Sequence, residues 1–412
     1  MIIAELNEEK SIERTVSYNN KKIKVLFAIH KPGLGGVQSL LLDWIKNLNG
    51  NRFSSKVLFM HGNGVLIPLY DEAGIDTVTL SNSRWNPLIP LKLILTLYRE
   101  KPDILVVQQE IMAVMGSIAG WLMRVPVTVV KVPYTMSQVS GWVYRTLRIA
   151  AIFSDSMLTQ SPQCTKELLS IGIPNNKICM IPSGASIPGR LSESEKIRLR
   201  KDLGLEENDL VLFSAARLHI QKGHCLLLDV FRIVMVAVPN VKLLIAGSGP
   251  EEENLKRKSK RLQLGDSVKF LGYRTDVDRL LSIVDVNALP SISEGLGIAT
   301  IQALGMGIPV VAFDVGAVSE GVVHNKTDYL LKLGDIDGYA EAIIELFRSR
   351  SKREELGWNA REHIKEKYSI KRAVEAMEEV FMTLLKEKRS QFQQSPLVIE
   401  NRKSELTTAE KN

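Results

Sequence analysis

Residues 23–48, IKVLFAIHKPGLGGVQSLLLDWIKNL, decide how the rest of the chain is read. Residues 23–29 form an apolar run of strand length. The run breaks at Pro32-Gly33-Leu34-Gly35-Gly36. Leu40, Leu41, Trp44, Ile45 and Leu48 then recur at helical spacing. Strand, glycine turn and helix make the opening unit of a nucleotide-binding α/β domain. Glycines at such a turn let a ligand approach backbone N–H groups, and the helix N-terminus favours anions. The dinucleotide fingerprint is incomplete, because Gln38 stands where its third glycine would fall. Taken alone, the turn reads nearly as well without any ligand.

Working outward, the alternation repeats. Residues 56–60, 77–80, 104–107 and 127–130 read as strands with helical patterns between them, and 157–159 and 178–181 as the last strands of the series. Short βα links of this kind imply a parallel sheet covered on both faces. A Ser/Gly/Pro-rich stretch over 182–191 reads as a linker. A second series follows, with strands at 211–214, 242–246, 268–271, 286–289 and 309–313. Residues 352–388 read as helical, with Gly357 as an interruption. The expected organisation is a leader over 1–21, a first domain over 22–187, a second over 188–367, a returning helix over 368–388, and an unstructured tail over 389–412.

Bulk properties narrow the class. The chain has 412 residues, 45% of them hydrophobic, so two packed domains are expected. Residues 1–20 lack the apolar core of a secretory signal. No run of 18 apolar residues appears, which argues against a membrane span. Cys164, Cys179 and Cys225 lack metal-ligand spacing and lie in segments that read as interior, in keeping with a reduced, cytoplasmic protein. The net charge of +7 favours anionic partners. The charge is not gathered in one arm, so nucleic acid is not an expected partner. A peripheral contact at the inner face of a membrane fits better, because residues 142–148 join aromatics to Arg145 and Arg148 as an interfacial helix would. An ordinary half-buried helix is the stronger reading of that stretch.

Three constellations carry the candidate chemistry. In the first glycine turn, Gly35 and Gly36 face the helix start. In the second, Arg217 and Lys222 flank a loop just after the first strand of the second series. Two cations at the carboxyl end of a parallel strand suit a diphosphate. The third is Pro290-Ser291-Ile292-Ser293-Glu294-Gly295-Leu296-Gly297-Ile298, followed by Gln302. Glu294 precedes a helix start and Gln302 lies two turns on. A carboxylate and an amide can bind vicinal hydroxyls, the groups that mark sugars and ribose. Asp276-x-Asp278 and Asp335-x-Asp337 invite a metal reading, but both precede helical patterns and read as helix caps. His30 and His219 read as loop or strand-end residues.

In this order and spacing the motifs resemble those of the family-4 retaining glycosyltransferases, across roughly residues 22–385. The resemblance implies the GT-B architecture: an α/β fold of two Rossmann-like parallel-sheet domains facing a central cleft, with a C-terminal helix crossing back to the first domain. It implies that Arg217 and Lys222 hold the donor diphosphate, and that Gly247 lies in a G-x-G-P loop. Tyr273 follows a turn facing the nucleobase. It implies that Glu294, with Gly295, Leu296, Gly297 and Ile298, contacts the donor sugar and its phosphate. Ser319-Glu320-Gly321-Val322 matches the family's last glycine turn. Two departures stand out. Gln302 replaces the second glutamate of the E-x7-E signature, which holds ribose hydroxyls in the family. The histidine that many relatives carry after the strand at 127–130 is absent, and Lys131 is the candidate replacement.

The expected activity is transfer of a sugar from a nucleoside-diphosphate sugar to a hydroxyl of a glycan or lipid-linked acceptor, with no cofactor and no divalent metal. A catalytically weakened binding or regulatory subunit is the alternative, because of Gln302 and the missing histidine. Epimerases and glycan phosphorylases share the fold with other chemistry, but the phosphorylase's pyridoxal lysine context is not found.

Overall fold

A computed structural model describes residues 21–32, 36–62, 64, 66–132, 141–294 and 297–393. The leader, Gly35, Gly295, Leu296 and the tail beyond 393 lie outside the described residues. The chain divides into two compact units. The first comprises the described residues up to 181 together with 374–393, and the second is Pro182–Ala373.

The first unit is a seven-stranded sheet, in order β3-β2-β1-β4-β5-β6-β7, with every pairing parallel. Its central strands are β1 (Ile23–Ile29), β4 (Ile104–Gln108) and β5 (Val127–Lys131). β2 (Phe53–Phe59) and β3 (Asp76–Thr79) lie to one side, and β6 (Ser156–Thr159) and β7 (Ile178–Met180) to the other. Strands β4 and β5 are buried throughout, so both faces of the sheet are covered. The chain leaves β1 towards β2 and β3 and returns to β4 on the opposite side of β1. The switch point therefore lies between β1 and β4.

Three sequence-read boundaries move. β2 begins at Phe53 rather than residue 56, because Ile23 pairs with Phe53 in register and carries the exposed Ser54 and half-buried Ser55 along in the strand. β4 and β5 each extend one residue, to Gln108 and Lys131, and these two are register partners. Sequence reasoning stops a buried strand at its first polar residue. Backbone pairing does not.

The first unit's helices are α1 (Gly36–Asn47), α2 (Ile67–Glu72), α3 (Ile89–Glu100), α4 (Glu110–Leu122), α5 (Gly141–Ile152) and α6 (Pro162–Ser170). The reading of all three cysteines as interior holds for Cys164, which is buried on α6. Cys179 is half-buried and Cys225 is exposed.

The second unit repeats the plan with six parallel strands in the order β10-β9-β8-β11-β12-β13. β8 (Leu210–Ala215) is the pivot, and β9 (Val241–Ala246) and β10 (Val268–Phe270) lie on one side of it. β11 (Val286–Leu289), β12 (Val310–Phe313) and β13 (Tyr329–Leu331) lie on the other. The helices between them are α7 (Glu193–Asp202), α8 (His224–Ala237), α9 (Glu252–Arg261), α10 (Val277–Leu281), α11 (Ile298–Gly305), α12 (Val318–Gly321), α13 (Ile336–Arg348) and α14 (Arg350–Lys367). Strand alternation splits the interior into two layers. Leu212, Leu243 and Ile245 pack with Phe231 and Ile343 on one side. Val211, Phe213 and Leu244 pack with Leu304 and Ile364 on the other.

The expected interruption at Gly357 is corrected: α14 runs straight through it. This glycine meets Gly307 where α14 approaches the loop after α11, and an added Cβ would stand 2.2 Å from the Gly307 carbonyl oxygen. The break comes later, between α14 and α15 (Ile370–Gln393). There the Ala185 N–H donates to the Tyr368 carbonyl at 3.0 Å. From Val374 onward α15 packs with the first unit. Glu378 accepts the Asn49 N–H at 2.7 Å, Phe381 meets Phe53 edge-on, and Lys388 pairs with Asp155. The helix continues to Gln393, beyond the expected start of the tail at 389.

Candidate functional site

In open α/β sheets ligands bind outside the carboxyl ends of the strands, where the strand order reverses. In the second unit that point lies between β8 and β11. The chain leaving β8 passes Arg217 and then forms a short 3-10 turn, Ile220–Lys222. The chain leaving β11 passes Pro290 and Ser291 to Glu294 and enters α11, whose N-cap is Gly297. Two segments about 70 residues apart in sequence thus meet at one crevice. Lys222 Nζ lies 2.5 Å from Glu294 Oε2, and Ser291 Oγ donates to the same oxygen at 2.9 Å. Glu294 is only 8% exposed, so its carboxylate is held rather than left to solvent. Ala317 N–H donates to the Glu294 carbonyl, which fixes its backbone as well.

The approach of the two loops depends on Gly223. Its φ is +65°, and a Cβ there would sit 1.8 Å from the Pro290 carbonyl oxygen. Any side chain would push the Lys222 loop off the Glu294 loop. Ile292 N–H donates to the Gln221 carbonyl at 2.8 Å and completes the join. Arg217 is exposed, and among the described residues its guanidinium has neither an ion-pair nor a hydrogen-bond partner. Around it, Leu218 N–H donates to the Ser248 carbonyl and Gly247 N–H to the Gly272 carbonyl, at 3.0 and 2.7 Å. These bonds bring the Gly247 loop and the Gly272–Tyr273 turn to the same end of the sheet. Tyr273 is exposed there, and partial burial raises its phenol above the usual value.

Gln302, the residue in place of the second signature glutamate, lies on α11. Its side-chain amide donates to the Ser186 carbonyl at 3.4 Å, a contact with the stretch read as a linker. That stretch packs on α11: Ile187 lies against Gly305, and Arg190 Nη2 donates to the Met306 carbonyl. Asp335 caps α13 as expected, accepting the Gly338 N–H. Asp276 does not cap. Its carboxylate takes both donors of Arg274 at 2.7 and 2.6 Å, because a guanidinium two residues away offers a better partner than an N–H of the five-residue α10. His219 accepts the Gln221 N–H and shapes the Lys222 turn.

One residue was not singled out from sequence. His224, the first residue of α8, is buried, with Nε2 3.5 Å from Ser214 Oγ. Burial and then the Lys222 charge lower its pKa to about 4, so it is neutral at physiological pH. Only its position two residues after Lys222 signalled it. Ser291 had a signal too, since it lies three residues before Glu294 in the quoted stretch.

The first unit's switch point has a different character. Lys131, at the end of β5, is buried, and its ammonium stands 3.6 Å from the centroid of the Trp44 ring. Among the described residues Nζ has no hydrogen-bond partner, and neither polar atom of its register neighbour Gln108 has one. Burial lowers the Lys131 pKa to about 7. Beside it, His30 Nε2 lies 3.2 Å from His61 Nε2, and the Gln109 side chain accepts the His30 N–H. Burial, followed by the neighbouring charges of His61, Lys31 and Arg84, lowers the His30 pKa to about 4. Gly36 opens α1.

With this geometry in place, residues 195–363 match the family described as glycosyl transferases group 1. The match lies within the second unit. All the residues just described between Arg217 and Gln302 fall inside the group 1 match. N-acetyl-alpha-D-glucosaminyl L-malate synthase of Bacillus anthracis is 28% identical over 190 residues, 46% of this chain and 50% of that protein. The chain thus spans about half the length of that relative. The capsular polysaccharide biosynthesis glycosyltransferase CapM of Staphylococcus aureus is 28% identical over 312 residues, 72% of this chain and 81% of CapM. Among solved structures, HepE of Anabaena, crystallised with UDP and glucose, superposes with a TM-score of 0.80. It is 23% identical and covers 87% of this chain and 99% of its own. The group 1 unit and its partner unit thus share the GT-B fold.

Proposed function

We propose that this protein transfers a sugar from a nucleoside-diphosphate sugar to a hydroxyl of a glycan or lipid-linked acceptor, with retention of anomeric configuration. The observation that carries the reading is the Lys222–Glu294 pair at the second unit's switch point, with Arg217, exposed and without a partner among the described residues, on the same loop as Lys222. The hard part of such a reaction is the charge that develops on the departing diphosphate. An ammonium has three donors, so Lys222 can keep Glu294 and still meet a phosphate oxygen. Arg217 offers a planar fork for the second phosphate, and the N-terminus of α11 adds its dipole. These groups supply the charge stabilisation that a divalent metal supplies elsewhere, so no metal or cofactor is invoked.

In the reaction the bond from the anomeric carbon to the phosphate oxygen breaks on the face where the acceptor oxygen bonds. The acceptor's proton passes to the departing phosphate oxygen. No protein base is needed, and His224, neutral and buried against Ser214, takes no part. The similarity to the malate synthase, CapM and HepE supports the donor class and a place in polysaccharide or glycoconjugate assembly. Among the described residues no helix is long and apolar enough to cross a membrane. We place the reaction in the cytoplasm, at the inner membrane face.

A second reading has one observation in its favour. Gln302 is turned to the Ser186 carbonyl and is neutral where the family resemblance implies a carboxylate. A chain that binds a nucleotide sugar without turning it over would look the same. Incubation with radiolabelled nucleotide sugars and an acceptor extract separates the two. Label appearing in an acceptor supports transfer, and saturable donor binding without product overturns it.

A further inference from the structure

The first unit presents a surface that none of the donor chemistry uses. Helices α3, α4 and α5 lie side by side on it, α3 against α4 and α4 against α5. α3 buries Ile89, Leu93 and Leu97 against the sheet. On its outer side Leu88, Leu91, Leu95 and Tyr98 form an i, i+3, i+7, i+10 stripe, and all four are exposed, Tyr98 to 63%. α5 does the same. It buries Val143, Leu147 and Ala150 and exposes Trp142, Ile149 and Ile152, the last to 71%. At the far end of α4, Trp121 is 61% exposed and meets the Phe153 ring edge-on, joining α4 to the end of α5. Trp85, ahead of α3, is 78% exposed beneath the Arg84 guanidinium.

A soluble face seldom carries this much contiguous apolar area. Its charges are one-sided. Lys92 and Arg99 flank the α3 stripe, Arg145 and Arg148 flank that of α5, and Arg124 follows Trp121; all are exposed. The acidic residues of 84–153 are Glu100, Asp103 and Glu110. Glu100 is tied to Lys56, and Asp103 accepts the Lys24 N–H, so both are committed to the sheet side. Apolar stripes bordered by cations, with Trp and Tyr at the margins, match a surface of apolar tails under anionic headgroups.

We propose that α3, α4 and α5 form the face by which this protein lies on an anionic lipid bilayer. The stripes enter the headgroup layer, and Lys92, Arg99, Arg145 and Arg148 reach the lipid phosphates. The proposal stands on the first unit alone, so it can fail while the transferase reading survives.

The test is co-sedimentation of the full chain with vesicles of phosphatidylcholine alone and of phosphatidylcholine with one-third phosphatidylglycerol, at low and high salt. Binding is expected only to the anionic vesicles, weakened by salt. Arg145→Glu with Arg148→Glu should lower the partition coefficient at least tenfold, and Leu95→Glu with Ile149→Glu by a similar factor. Both variants should keep the thermal shift of the parent protein with nucleoside diphosphate, which shows that they fold. Equal binding by parent and variants, equal binding to both vesicle types, or no vesicle binding together with a dimer that Leu95→Glu dissolves would each overturn the proposal.

Discussion

The two units share one wiring plan and differ at its centre. At the second unit's switch point the polar groups satisfy one another: Lys222, Glu294 and Ser291 close on a single carboxylate oxygen. At the carboxyl ends of β4 and β5 in the first unit, Lys131 and Gln108 are buried with no hydrogen-bond partner among the described residues. A paired charge is preorganised and can act on a ligand at once. An unpaired buried charge lowers stability, and a protein tolerates it where something else in the structure or the reaction calls for it. The same fold therefore carries a ready site in one half and an unsatisfied one in the other.

The strongest way to break this contrast is to remove the ready site's cations. Lys222→Ala or Arg217→Ala should lower turnover at least ~10²-fold, as loss of a preorganised charge partner does. Steady-state rates with a nucleotide sugar check it, and near-normal rates in both variants would remove the diphosphate assignment. Lys131 gives the next effect. Below about pH 7 its amine is charged in the folded and the unfolded chain, and the burial penalty is fully present. Between about 7 and the ordinary lysine value of 10.5 the unfolded chain holds the proton and the folded chain does not, so stability rises with pH. The parent protein should gain on the order of 2 kcal/mol over Lys131→Met between pH 7 and pH 9. Urea midpoints of the two proteins at both values measure it; parallel pH profiles would mean that Lys131 is not held unpaired. The smallest effect is expected at Ser291→Ala, which removes one bond to Glu294 worth about 1 kcal/mol. The bond is present without a ligand, so its loss should lower fold stability by about that amount and leave donor affinity within about fivefold; urea midpoints and isothermal titration with the nucleoside diphosphate would show the two.

Much of this was legible before any coordinates. Strand, glycine turn and helix at 23–48 announced the first sheet, because a buried parallel strand must be apolar throughout and a helix over it must be striped. Arg217, Lys222 and Glu294 stood out because cations and a carboxylate at strand ends have no packing reason to be there. That Lys222 and Glu294 touch was not legible, since the contact depends on a sheet order that puts β11 beside β8. That Gln302 also bonds Ser186 was not legible, since nothing local tells an amide which backbone carbonyl will come within reach. Gly357 misled for a related reason. A glycine inside a helix signals weakness in one dimension, and here it answers a neighbouring backbone at Gly307. Gln108 and Lys131 were read as lying just past their strands, because polarity is visible in sequence and register is not.

The central claim is that the crevice between β8 and β11 holds a nucleoside diphosphate. The measurement is the thermal midpoint of the full chain against UDP, GDP, ADP and CDP. A ligand at 100 times its Kd adds about 2.7 kcal/mol to the state it binds, enough to raise a midpoint by several degrees. The account predicts a rise with one of the four bases that is lost in Lys222→Ala. No rise with any of them would contradict it.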